Sequence, residues 1–295
     1  MLFAVLIGLA LHPLYESISL QPGVEWCSRP LLQIGVALLG FRVDLNALQA
    51  VGTAAPIMTI ACLVLTIILG TMLARWIGLS SRFAMLVSGA VAICGVSAAV
   101  AISSVLPKSA NSNRELALTV AGVTGMSTLA MIFYPLISQW LNHSDLESGI
   151  FIGASIHDVA QVVGAGYSIS ESAGDTATFI KLIRVSALLP VVIVIGLIFG
   201  RSRSASGESK PNLLPPFLIA YALIATINSF HLWPESVQTI GIEVSKFFLV
   251  ISLVAIGLKT DLKDVAAVGK RPLIALLSTT VLMAVLIVVG ITFLR

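Results

Sequence analysis

Several ionisable side chains stand inside stretches that are otherwise apolar. The densest group is Gly153-Ala154-Ser155-Ile156-His157-Asp158-Val159-Ala160-Gln161. An imidazole titrates near neutral pH and can pass a proton, and a carboxylate beside it can hold a proton or a cation. Read as helix, His157 and Gln161 are four residues apart and share a face, with Asp158 turned about 100° away. Gly153, Gly164 and Gly166 would allow the helix to unwind, freeing backbone N–H and C=O groups for a solute. A histidine–aspartate pair that only staples helices together would leave the same trace.

Two further groups carry chemistry. In Ala92-Ile93-Cys94-Gly95-Val96-Ser97-Ala98-Ala99, small residues permit close helix packing. They also permit a break at Cys94-Gly95, with a second half-helix starting near Ser97 whose exposed N–H groups would favour an anion. Lys181 and Arg184 lie three apart on one helix face. They either snorkel to an interface or form a cationic pair, in which Arg184 would grip an oxyanion bidentately. Thr119, Thr124, Ser127 and Thr128, with Gly122 and Gly125, make a small polar face suited to packing or to lining a path.

A third pattern is repeated. Gly40-Phe41-Arg42-Val43-Asp44-Leu45 returns as Gly257-Leu258-Lys259-Thr260-Asp261-Leu262, and flanking residues match at the same offset. Either copy alone could be a helix end with snorkelling charges. The pair, with matching flanks, points to the internal repetition of secondary transporters.

These residues must be positioned by membrane-spanning helices. Of the 295 residues, 57% are hydrophobic and 11% charged, whereas soluble domains carry roughly 25% charged residues. Apolar runs predict helices at 1–15, 29–43, 54–76, 83–106, 114–140, 146–168, 177–200, 213–230, 243–260 and 272–294. The fold class expected is therefore an all-α polytopic membrane protein with about ten transmembrane helices, inverted repeats and broken helices. Residues 1–200 would hold the site helices, 201–212 a flexible cytoplasmic loop, and 213–295 the second copy of the motif, all in one membrane domain.

Lys and Arg in the loops at 75–82, 201–211 and 259–271 make that side cytoplasmic. The loops at 169–176 and 231–243 are acidic, as an external face should be; the loop at 107–114, with Lys108 and Arg114, dissents. Trp26, Trp76, Trp140 and Trp233 fall near predicted helix ends, where aromatic belts sit. The motif helices are seven apart in this order, so the two copies run in opposite directions. Met1–Leu11 has no basic n-region or cleavage site, so no cleavable leader is expected. The net charge of +3 belongs to loops and does not suggest nucleic acid. Cys27, Cys62 and Cys94 show no metal-ligand spacing, so no metal or cofactor is expected.

The motif around Gly40-Phe41-Arg42, the Ala92–Ala98 run, the Gly153–Val163 run, Lys181-Leu182-Ile183-Arg184 and Ala255–Leu262 together resemble the YeiH-type family of bacterial inner-membrane proteins, some of which are described as sulfate exporters. The resemblance covers nearly the whole chain in order. It implies a multi-pass inner-membrane carrier, akin in fold to bile-acid and cation–proton antiporter groups with crossed broken helices. It also implies an additional N-terminal helix, which is expected to be absent from these 295 residues.

The function expected is a secondary transporter, not an enzyme, that exports a small anion such as sulfate or an organosulfonate. Cys94, Gly95, Ser97, Ser155, His157, Gln161, Lys181 and Arg184 would bind the substrate, and His157 and Asp158 would couple its movement to a proton or sodium. Gly40, Arg42, Asp44, Gly257, Lys259 and Asp261 form the structural motif. The partners are the anion, the coupling ion and the lipid bilayer, with a homodimer left open. Nothing resembles a nucleotide-binding P-loop. A cation–proton antiporter using Asp158, or a membrane enzyme using Cys94 and His157, are the alternatives.

Overall fold

The computed structural model describes residues 4, 7–8, 10–11, 21–42, 52–107, 109–199, 216–230, 232–259 and 269–294. Asp44, Asp261, Lys108 and the loop at 201–212 lie outside the described residues. Among those described, regular structure is helical throughout.

Helix α1 is a helical run over residues 21–42. It passes through a π turn at Cys27–Leu31 and closes in a 3-10 turn at Leu39–Arg42. Pro30 sits inside the π turn, where its missing N–H cannot continue the regular ladder. The others are α2 (Ala54–Trp76), α3 (Ser81–Ala92), α4 (Val96–Val105), α5 (Ser112–Trp140), α6 (Asp145–Ser155) and α7 (Val159–Ile169). They continue with α8 (Glu171–Ser186), α9 (Leu188–Phe199), α10 (Pro216–Ser229), α11 (Glu235–Lys259) and α12 (Lys270–Leu294). Five runs are long and apolar enough to cross a membrane: α2, α5, α8 with α9, α11 and α12. Pro190 cannot donate to Ser186, four residues before it, which explains the slight break at Ala187.

Helices begin earlier than hydropathy windows predict. Of the acidic residues assigned to loops at 169–176 and 231–243, Glu171 and Glu235 lie in the first turns of α8 and α11 and Asp175 and Glu243 further along the same helices, and only Ser170 separates α7 from α8. An apolar window stops at the first charges, but a helix continues into the interface once it is capped. Ser170 accepts from the Ala173 N–H at 3.0 Å. Ser144 and Glu147 form a capping box at the start of α6.

The regions predicted as transmembrane helices at 83–106 and 146–168 are instead helical hairpins. In the first, Arg82 at the start of α3 donates to the Pro107 carbonyl beyond the end of α4, at 2.7 Å. Halfway along, a Cβ at Gly89 would stand 2.3 Å from the Ile102 side chain. The two limbs are therefore antiparallel, and both ends of the hairpin lie on one face of the bundle.

The second hairpin reads off α8. Gly149 and Gly153 of α6 press against Ala173, Thr176 and Ala177 in the same chain direction. Gly166 of α7 presses against Gly174 and Ala177 in the reverse direction. Hence α6 and α7 are antiparallel as well. A single broken helix that spans the bundle fails because no straight path joins limbs that fold back on each other.

Helix α5 connects the two hairpins across the bundle. Near its start Glu115 pairs with Arg82 at the base of the first hairpin. Near its end Ser138 donates to Ser148 at the base of the second, at 2.9 Å. The hairpins thus enter from opposite faces. The first face carries Arg75, Arg82, Arg114, Lys259, Lys270 and Arg271; the second carries Asp145, Glu147, Glu171, Asp175, Glu235 and Glu243. This resolves the dissenting basic loop: a hairpin returns the chain to the face it left. Two hairpins drop two crossings, so the opposite sense of the motif-bearing helices is preserved.

The helices fall into two groups. The first contains α2 to α9 and α12; the second contains α1, α10 and α11. Within the second group, Ser245 donates to the Gly35 carbonyl at 2.8 Å, and Gln238 donates to the Phe41 carbonyl at 3.1 Å. Helices α1 and α11 are therefore antiparallel. Close packing between the groups is chiefly α7 on α11. An apolar cluster fills that seam: Val163 and Leu182 from the first group, with Val36, Leu39, Tyr221, Ala225 and Leu249 from the second.

Candidate functional site

Each inward limb has 11 or 12 residues, so each tip reaches about 17–18 Å from its face, near the middle of a hydrocarbon core of about 30 Å. The tips meet there. Gly95 has φ +66°, which favours glycine, and a Cβ at Gly95 would lie 3.6 Å from Cβ of His157. The break in the first hairpin is Ile93-Cys94-Gly95, as the sequence implied. In the second it is Ile156-His157-Asp158, not one of the glycines. Gly153, Gly164 and Gly166 lie in helix, and each faces a close neighbour: Ala177, Met131 and Gly174 respectively.

Helices α3 and α6 end at the tips, leaving carbonyls without intrahelical donors. Two cations from α8 fill that need. Lys181 donates to Ile93 and Ile156, both at 2.9 Å. Arg184 donates through Nε to Ala92, through Nη1 to Gly153 and Ile156, and through Nη2 to Val91 and Ala92, all between 2.8 and 3.2 Å. Both side chains are 0% exposed. Every guanidinium N–H therefore has an acceptor. The expected bidentate grip of Arg184 on an oxyanion is not available here, because backbone carbonyls hold all its donors.

The opposite ends of the break are capped differently. Asp158 accepts from the Ala160 N–H at 2.9 Å and starts α7. Its own N–H donates to Ser127 at 3.0 Å. Ser127 in turn donates to Gln161 Oε1 at 2.7 Å, and Gln161 Nε2 donates to Thr128 at 3.2 Å. Gln161 thus fastens the second hairpin to α5. His157, on the break, shares no continuous helix face with it. The Cys94 sulfur lies near the Ala98 N–H in the first turn of α4.

His157 Nε2 lies 3.0 Å from the Thr280 hydroxyl on α12. Its Nδ1 is buried, with the Val91 carbonyl nearby but no hydrogen bond of normal geometry. Ser155 donates to the Phe151 carbonyl of its own helix. Ser97 is exposed, Val96 and Asp158 are half-buried, and the half-buried Val159 packs on the apolar cluster of the seam. Arg29 of α1 lies within electrostatic reach of Asp158.

All nine site residues from Cys94 to Arg184 come to the hairpin tips, whereas the repeated motif does not. Gly40 presses against the α10 backbone, where a Cβ would meet the Tyr221 carbonyl at 2.7 Å. Gly257 touches the segment around Gly8. Lys259 pairs with Glu25 at 3.7 Å, and Arg42 pairs with Asp175 and Glu171. Sequence reasoning missed Thr280; its signal was the polar run Ser278-Thr279-Thr280 inside the last apolar helix.

Residues 1–276 match the family of conserved hypothetical protein 698. A UPF0324 membrane protein of Chlorobaculum tepidum is 45% identical over 289 residues, 97% of this chain and 81% of that relative. TauZ of Paracoccus denitrificans, also named a UPF0324 membrane protein, is 44% identical over 294 residues, 98% of this chain and 87% of its own. The UPF0324 inner membrane protein YeiH of Escherichia coli is 33% identical over 296 residues, 97% of this chain and 82% of YeiH. No solved structure matches. The chain belongs to the UPF0324 family and is a multi-pass protein of the bacterial inner membrane.

Proposed function

We propose that the protein is a secondary transporter, not an enzyme, and that its solute site lies where the two hairpin tips meet. The observation that carries this reading is the pair of oppositely inserted hairpins whose tips gather His157, Asp158, Lys181 and Arg184 at mid-depth. Ionisable groups at that depth are costly and rare, and in membrane proteins they commonly mark solute or proton paths. Hairpins from both faces, and the antiparallel α1 and α11, support an inverted-repeat carrier in which one helix group moves against the other. On this reading, among the described residues, seven helical passes and two hairpins stand where nine of the ten crossings were predicted.

Charge supports a small anion such as sulfate or an organosulfonate. The C-terminal ends of α3 and α6 contribute roughly −0.5 each and the N-terminal ends of α4 and α7 roughly +0.5 each. Lys181 and Arg184 counted as cations, with Asp158 as an anion, leave about one positive charge. Lys181 and Arg184 supply potential, while Ser97 and the first turns of α4 and α7 offer the contacts. His157 and Asp158 are the coupling groups for a proton or sodium, and the direction is outward. A second reading, a cation–proton antiporter, draws on the half-buried Asp158 carboxylate at the tip.

A thermal-shift screen of the purified protein separates these readings, because a ligand bound by the native state alone raises Tm with its concentration. Sulfate or methanesulfonate should stabilise the protein where chloride does not. Stabilisation by sodium alone would favour the antiporter. If no anion or cation shifts Tm, the tip site is not a solute site.

A further inference from the structure

The ion pairs among the described residues join the two helix groups on one face only. Among the described residues, the ion pairs near the basic face stay within a group: Arg82 with Glu115 in the first, Lys259 with Glu25 in the second. On the acidic face, beside the Lys246–Glu243 pair within α11, three pairs cross between groups. Arg42 of α1 lies 3.2 Å from Asp175 and 3.2 Å from Glu171, both on α8. Lys246 of α11 lies 3.6 Å from the same Glu171. Tyr167 of α7 donates its hydroxyl to Asp175, and the Arg42 guanidinium lies 5.3 Å from the centre of the Tyr167 ring.

Arg42 is held on a stiff mount. The Phe41 carbonyl accepts from Asn228 at 3.0 Å and from Gln238 at 3.1 Å. The Phe41 ring fills the space that a side chain at Gly241 would need, and it meets Trp233 edge-on at 5.5 Å. One helical turn below Tyr167 is Val163, inside the apolar seam between the groups. Charge therefore sits directly over the seam.

The cross-group pairs also differ in kind from the pairs at the tips. Lys181 and Arg184 are wholly buried against carbonyls of their own group and have no water to exchange with. Asp175 and Glu171 side chains are 40% and 72% exposed, so water can replace Arg42 when the groups part. The first arrangement is permanent; the second can open.

We infer that Arg42, Asp175, Glu171 and Tyr167 form an ionic latch that closes the acidic, external face of the seam between the two helix groups. The latch shuts the tip site from that side in this conformation, and release of solute outward requires the pairs to separate. The contact stands on the geometry alone, while its role in flux rests on the carrier reading.

The test uses Val163→Cys as a reporter under the latch, labelled from outside in intact cells with a membrane-impermeant maleimide. The parent chain without the reporter gives the background from Cys27, Cys62 and Cys94. The reporter should label slowly with the latch intact. Arg42→Ala and Asp175→Asn, each measured on protein that elutes as a single folded species, should each speed labelling about tenfold, the equivalent of about 1.4 kcal/mol. The exchanged pair Arg42→Asp with Asp175→Arg should restore slow labelling. Labelling unchanged in both single variants, or unrestored by the exchange, overturns the latch. The same variants assayed for solute flux keep the two ideas apart: accelerated labelling without flux of any solute removes the carrier reading and leaves the latch. Wild-type flux with labelling unmoved removes the latch alone.

Discussion

Replacing Arg184 by methionine keeps only the apolar stem of the side chain and deletes the guanidinium with all five donors. Ile156 retains Lys181 at 2.9 Å. The carbonyls of Val91, Ala92 and Gly153 lose their guanidinium donor. A buried polar group left unpaired costs about 1–3 kcal/mol, so three carbonyls cost about 3–9 kcal/mol. That is comparable to the whole stability of many proteins, about 5–15 kcal/mol. At about 2 °C per kcal/mol for a chain of this size, Tm should fall by about 6 °C or more. Lys181→Met strands the Ile93 carbonyl alone and should cost about a third as much. The assay is size-exclusion chromatography of detergent-solubilised protein after stepwise heating. A Tm for Arg184→Met within about 2 °C of wild type would refute the view that this cation holds the two hairpin tips together.

Other consequences are readily checked. With hairpins in place of spans, Ser109→Cys should label from the cytoplasmic side and Ser144→Cys from the external side; external labelling of Ser109→Cys would restore a spanning helix at 83–106. Gly153→Ala places a methyl 2.3 Å from the Ala177 carbonyl, so α6 and α8 must separate at a cost of about 1–3 kcal/mol, measured as a lower Tm; an unchanged Tm would contradict the close packing. Cys94→Ala should keep most of the flux of a carrier, whereas complete loss of turnover would favour an enzyme.

The ionisable residues that gather at the tips stood out in the sequence before the fold did. Ionisable groups at bilayer depth are rare enough to flag one by one, and Cys94, His157, Asp158, Lys181 and Arg184 all meet at the tips. The hairpins were not legible, because a window of hydropathy over 83–106 cannot distinguish one helix from two limbs folded back at Gly95. The basic residue Arg114 carried that information as a violation of the charge rule. Gly153 read as a point of unwinding, yet a glycine that allows close packing leaves the same letter. Arg42 read as half of a repeat; its partner Asp175 is 133 residues away, and only the packing of α1 against the first group shows why a base stands there. Lys181 and Arg184 read as anion ligands because the sequence does not reveal which carbonyls the tips leave open.

Flux through purified protein tests the central claim most directly. Wild type and His157→Ala, reconstituted at equal amounts of folded protein, are loaded with labelled sulfate or methanesulfonate and diluted into the unlabelled anion. The account expects saturable exchange well above empty vesicles for wild type and none above them for His157→Ala. Exchange at the wild-type rate by His157→Ala, or no movement of any small anion or monovalent cation by wild type, would contradict it.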